Sequence, residues 1–138
     1  MGASVAKSFE AEVTKAFHFL VSAHGLSGPA LGPGLVRYTG DGLTYQIALD
    51  LAAGTVTTSV AKDVGAVRLA AELPELVAGA SLSAPGGVRR GARTLTDMRS
   101  TVVAHAAYVR RLQPYLTPLN VLPLMRAAHA REQSLAGG

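Results

Sequence analysis

From Val5 to His24 the large apolar residues fall at Val5, Phe9, Val13, Phe17 and Leu20/Val21, three or four apart. That spacing predicts one amphipathic helix, with Ser4 as its N-cap and Gly25 as its stop. Gly25–Gly34, broken by glycines and by Pro29 and Pro33, reads as a loop. The period then changes from about 3.6 residues to two. In Leu43–Leu51 every odd position is large and apolar, and the even positions Thr44, Gln46, Ala48 and Asp50 are small or polar. This alternation predicts a strand with one buried face. Shorter β-branched runs at Leu35–Thr39 and Thr55–Ala61 flank it through Gly40-Asp41-Gly42 and Ala52-Ala53-Gly54, which suit hairpins. A three-stranded antiparallel meander follows, with a possible fourth strand at Ala66–Ala71.

Leu73–Ala80 reads as a short helix opened by Pro74, and Ser83–Gly91 as a glycine-rich loop. Thr94 and Asp97 stand at N-cap and N3 spacing, ahead of Leu95, Met98, Val102, Ala106, Val109 and Leu112. These predict a long helix that Pro114 ends or kinks. The segment from Pro118 to Leu135 reads as a last helix beginning near Pro123, with a weak stripe of Leu124, Met125, Ala128 and Leu135. The fold class is therefore α+β: an N-terminal helix, a three- to four-stranded antiparallel meander and C-terminal helices packed on one sheet face, a two-layer sandwich. Residues 1–117 form a single domain and residues 118–138 a C-terminal helical extension of it.

Composition refines this picture. With 138 residues, one core is expected, and with three Phe, four Tyr and no Trp that core is built mainly from small aliphatic side chains. The absence of cysteine rules out disulfides, thiolate metal sites and a cysteine nucleophile. No secretory leader is visible, and no apolar stretch reaches the roughly 18 residues of a membrane span, so a soluble cytoplasmic protein is expected, without a membrane partner. Charge is uneven. Residues 1–85 hold five Lys/Arg against seven Asp/Glu, whereas residues 86–138 hold eight Arg against Asp97 and Glu132.

The candidate chemistry is sparse. His18, His24, His105 and His129 contain no i, i+4 pair, and His18 and His24 differ by about 120° around a helix, so no metal site is expected. The carboxylates are spread over helix, turn and cap positions. Nucleophile-elbow, zincin, Walker and dinucleotide motifs are absent. The expectation is no catalytic residue and no cofactor. The loop arginines Arg89, Arg90 and Arg93, next to a helix N-terminus, are the candidate anion-binding group, which makes nucleic acid a conceivable though disfavoured partner. A pocket between sheet and helices would be bounded by Tyr38, Tyr45, His18 and His105. The polar sheet face, represented by Thr44, Gln46, Ala48 and Thr57, together with Leu124 and Met125 of the tail, is the candidate interface for a protein partner or a second copy. The terminal Gly137-Gly138 matches the diglycine of ubiquitin-like carriers, but those folds open with a hairpin and this chain with a helix.

The order of elements, from Phe17-His-Phe-Leu-Val-Ser-Ala-His-Gly-Leu26 through the Tyr45–Leu51 and Thr55–Val60 strands to the helix at Leu95–Leu112, resembles that of small uncharacterised α+β proteins of high-GC bacteria. Some of those are of an immunity or accessory type. The resemblance assigns no site residue. The absence of convergent catalytic groups and the weakly amphipathic C-terminal segment lead to the expectation of a non-enzymatic interaction protein, a homo-oligomer or a subunit of a larger assembly.

Overall fold

The computed structural model describes residues 2–135, with side chains from Val5 onward. Gly137 and Gly138 lie outside the described residues. The first helix, α1, runs Gly2–Ala16, so Ser4 lies inside it rather than capping it. The predicted continuous helix to His24 is interrupted at Phe17-His18, and a single turn, α2, follows at Phe19–Ser22. The cause is the number of aromatics to be buried. Phe17, Phe19 and Leu20 are all buried, yet residues two apart point about 200° apart on a helix. Breaking the helix lets both rings enter the core edge, stacked with centroids 6.2 Å apart. The Arg110 guanidinium covers the Phe19 ring at 4.3 Å.

The sheet has six antiparallel strands, not three or four, in the order β1 to β6. They are β1 Ser27–Gly32, β2 Leu35–Gly40, β3 Leu43–Asp50, β4 Thr55–Val64, β5 Val67–Glu72 and β6 Arg131–Ser134. The alternation predicted for β2, β3 and β4 is present, and the run at Ala66–Ala71 is β5. Two strands were read otherwise. β1 lies in the stretch expected to be a loop, where an edge position tolerates Pro29. There Gly28, at φ +141°, crosses β2 so closely that a Cβ would meet the Arg37 carbonyl oxygen and Tyr38 Cδ1 at 2.8 Å. β6 lies in the stretch expected to continue the last helix. Its four residues are all exposed and polar, so no apolar period announces it, and it forms because the β5 edge offers a ladder.

The helices are α3 Leu73–Gly79, α4 Leu95–Leu112 and α5 Val121–Ala127. α4 occupies the predicted span, with the Thr94 hydroxyl accepting from the Asp97 N–H at 3.1 Å. α3 and α5 cross closely at Gly79, where a Cβ would stand 3.0 Å from the Ala128 nitrogen. The tail is thus part helix and part sheet, and integral to both layers. All helices lie on one side of the sheet. There Val36, Tyr38, Tyr45, Ile47, Val56 and Val60 meet Phe9 and Val13 of α1 and Met98, Val102 and Val109 of α4 in one core. Among the described residues, no helix is long and apolar enough to cross a membrane.

Candidate functional site

Because alternate residues of a strand face opposite sides, burying Val36, Tyr38, Tyr45, Ile47, Val56 and Val60 sends their neighbours to the other face. Among the described residues, no helix covers that face. The register places Arg37, Gln46, Ser59 and Glu72 in one row across β2 to β5, and Thr39, Thr44, Ala61 and Ala70 in the next. Ala48 and Thr57 are paired on the far side of the first row. The floor is therefore made of small side chains, flush with one another and half-buried. Longer side chains stand around it. Arg37 donates to Gln46 Oε1 at 3.1 Å, and Arg68 makes two hydrogen bonds to the Asp63 carboxylate, at 2.7 and 3.3 Å. Arg37, Arg68 and Gln133 rim a shallow depression of about 490 Å³ over Thr44, Ser59 and Ala61. The hydrogen bond from Arg68 holds the Asp63 carboxyl below its ordinary value against the opposing effect of desolvation, and the charges of Arg68 and Lys62 add smaller shifts in the same downward direction.

The structure thus brings Thr44, Gln46, Ala48 and Thr57 together on one open surface. It separates Leu124 and Met125 from them. Both are buried in the helical layer, at 4% and 1% exposure, with α5 packed against α3. Their burial within the chain removes them from the candidate interface: the weak stripe of α5 is satisfied by the chain itself. Arg37, Ala61 and Arg68 belong to the face and were not singled out in the sequence. The alternation of Val36 and Tyr38 with Arg37 is the signal that could have found the first of them.

The loop arginines are tethered separately. Arg89 lies 3.5 Å from the Asp97 carboxylate. Arg93 donates to the Ala53 carbonyl at 3.1 Å and packs its stem on Gly54. Arg90 is exposed, while its carbonyl accepts from the Val56 N–H at 2.9 Å. The helix N-terminus beside them is occupied by the Thr94 and Asp97 cap.

Behind this loop lies a buried polar seam. Thr58, Thr101 and His105 are the buried polar side chains among the described residues. His105 Nε2 bonds the Arg89 carbonyl and its Nδ1 lies 2.8 Å from the Thr58 hydroxyl. Since a carbonyl can only accept, Nε2 carries the proton and Nδ1 accepts from Thr58. Thr101 donates to the Gly91 carbonyl at 2.6 Å. Three successive loop carbonyls are thereby held by α4 and β4. Burial pushes the His105 imidazole below its ordinary value; the bond to Arg89 opposes this and the charge of Arg90 adds to it.

The four residues expected around a sheet–helix pocket do not enclose one. Tyr38, Tyr45 and His105 are packed into the core, and His18 is exposed. Tyr45 Oη accepts from Gln113 Nε2 at 3.3 Å, and burial raises its phenol pKa against that bond. The Tyr38 hydroxyl is buried without a hydrogen-bond partner among the described residues. Burial raises its pKa; Thr14 lies near enough to lower it slightly but not at hydrogen-bonding geometry. An unpaired buried hydroxyl costs about 1 to 3 kcal/mol. Tyr38→Phe is therefore expected to leave stability unchanged or raise it by about 1 kcal/mol, read from the urea midpoint. A loss larger than that would mean the hydroxyl is bonded in solution. Among the described residues, no three His, Asp or Glu side chains come together in a way that could hold a metal ion.

Fold and surface together define an α+β protein with a helical layer behind an open, small-residue sheet face. No protein-family model, curated protein or solved structure matches the chain.

Proposed function

We propose that the protein is a non-enzymatic interaction protein, a subunit of an assembly, and that the open sheet face is its contact surface. The observation that carries this reading is the composition of that face on the two central strands. Seven of the nine outward positions, Thr44, Gln46, Ala48, Thr55, Thr57, Ser59 and Ala61, carry no charge, and the two that do, Asp50 and Asp63, stand at or next to strand ends. A solvated antiparallel face is polar, and a surface that stays monomeric usually carries charged side chains of both signs interspersed over it. A floor of short hydroxyl and methyl groups is flat enough to let another backbone layer approach to the ~10 Å of packed sheets.

Affinity capture from cell extract with tagged chain tests it. Ser59→Arg plants a long charged side chain in the middle of the floor without touching the core. Expected is a partner, or untagged copies of the chain, retained by the unaltered protein and lost with Ser59→Arg, while Arg99→Ala on α4 behaves like the unaltered protein. Identical capture by all three would sink the proposal.

A further inference from the structure

We infer that the occupant of the open face is a second copy of this chain, laid face to face about a two-fold axis that runs parallel to the strands, midway between β3 and β4. This rests on the reading of that face as a contact surface and goes on to name what covers it.

The argument starts from the row Arg37, Gln46, Ser59, Glu72. Its two ends are opposite charges, three inter-strand steps or about 14 Å apart, and its middle is uncharged. Among the described residues neither Arg37 nor Glu72 forms an ion pair within the chain; Arg37 rests on Gln46, and the Glu72 side chain takes part in the capping box that opens α3. A two-fold axis between β3 and β4 lays β2 of one copy over β5 of the other. It therefore sets Arg37 opposite the second copy's Glu72, and by symmetry does so twice. The same operation matches long side chains with short ones. Gln46 comes over the second copy's Ser59, Thr39 over its Ala70 and Thr44 over its Ala61. A two-fold axis set across the strands through this row would instead stack Arg37 on Arg37, which like-charge repulsion disfavours.

Five inter-strand spacings of about 4.8 Å by a mean strand length of about seven residues of about 3.3 Å give roughly 550 Å² per copy, or roughly 1,100 Å² in all. That clears the roughly 1,000 Å² a specific interface needs and lies at the small end of the range.

Light scattering on the eluting peak at micromolar concentration, with circular dichroism to verify folding, tests the inference. Expected is a species of twice the chain mass. Arg37→Glu opposes Glu72 with a second acid at two places and is expected to weaken dimerisation at least about tenfold. Adding Glu72→Lys to that variant is expected to restore the dimer. Glu72 also opens α3, where its N–H donates to Glu75 Oε1 at 3.0 Å, so a second measurement avoids altering it. Because the chain has no cysteine, Thr39→Cys and Ala70→Cys, apposed across the axis but each about 14 Å from its own counterpart in the other copy, can be mixed and joined with a short bismaleimide. The mixture is expected to cross-link faster than either variant alone. A monomeric unaltered protein, a dimer indifferent to Arg37→Glu, or equal cross-linking in all three samples would overturn the inference. A monomer whose face still captures another protein, in a manner lost with Ser59→Arg, would overturn it while leaving the proposed function standing.

Discussion

Replacing His105 with alanine is expected to lower stability by about 3 kcal/mol, because the change leaves the Arg89 carbonyl and the Thr58 hydroxyl buried without partners. For a chain of this length that is a fall of about 10 °C in the melting temperature. A second consequence is a change in acid sensitivity. The imidazole is held below its ordinary value by burial, so in the folded state it binds fewer protons than in the unfolded chain. Its contribution is complete above the unfolded value near 6.5 and is lost as pH falls below that, down to the folded value. Thermal melts at pH 7.5 and pH 5 should show a larger drop for the unaltered protein than for His105→Ala over that interval. Equal drops, or an unchanged melting temperature at pH 7.5, would show that the seam does not anchor the loop.

Phe9→Ala is expected to cost still more, about 3 to 5 kcal/mol, the range for deleting a fully buried aromatic side chain. Phe9, Val13 and Phe17 are 0% exposed, with α1 laid against α4 and touching β2 and β3. Removing the ring opens a cavity between two layers rather than at a margin. Hydrogen exchange should then report faster opening in β2, β3 and α4 together with α1. If the exchange gain were confined to α1 and the loss stayed below about 1 kcal/mol, α1 would be an appendage and not a wall of the core.

Some of this architecture was legible in the sequence because burial writes a period. β3 alternates over its whole length, α4 carries an apolar residue at every third or fourth position, and Thr94 with Asp97 marks its start. The one-sided face containing Thr44, Gln46, Ala48 and Thr57 followed from the same alternation. The rest left no such trace. β1 and β6 are edge strands, and an edge strand can be glycine and proline or wholly polar without loss of a core contact. The break after Ala16 depended on Phe19, which is off the helical stripe and is buried only once the helix ends. Leu124 and Met125 looked under-supported because α5 is short, and its partner α3 is some fifty residues away in sequence. Arg37 and Glu72 could be joined in one row only when the register of four strands was in hand.

The pairing of β6 with β5 sets a timetable for synthesis. Arg131 lies beside Ala70, 61 residues earlier. At about 5 to 20 residues per second, the outer edge of β5 waits some 3 to 12 seconds on the ribosome for its neighbour. The hairpins from β1 through β5 need no such delay. During that interval Val67 and Leu69 sit on an unpaired border where another nascent chain could add a strand. Arg68, drawn onto Asp63 of the preceding strand, keeps a charge on that border while it stands open.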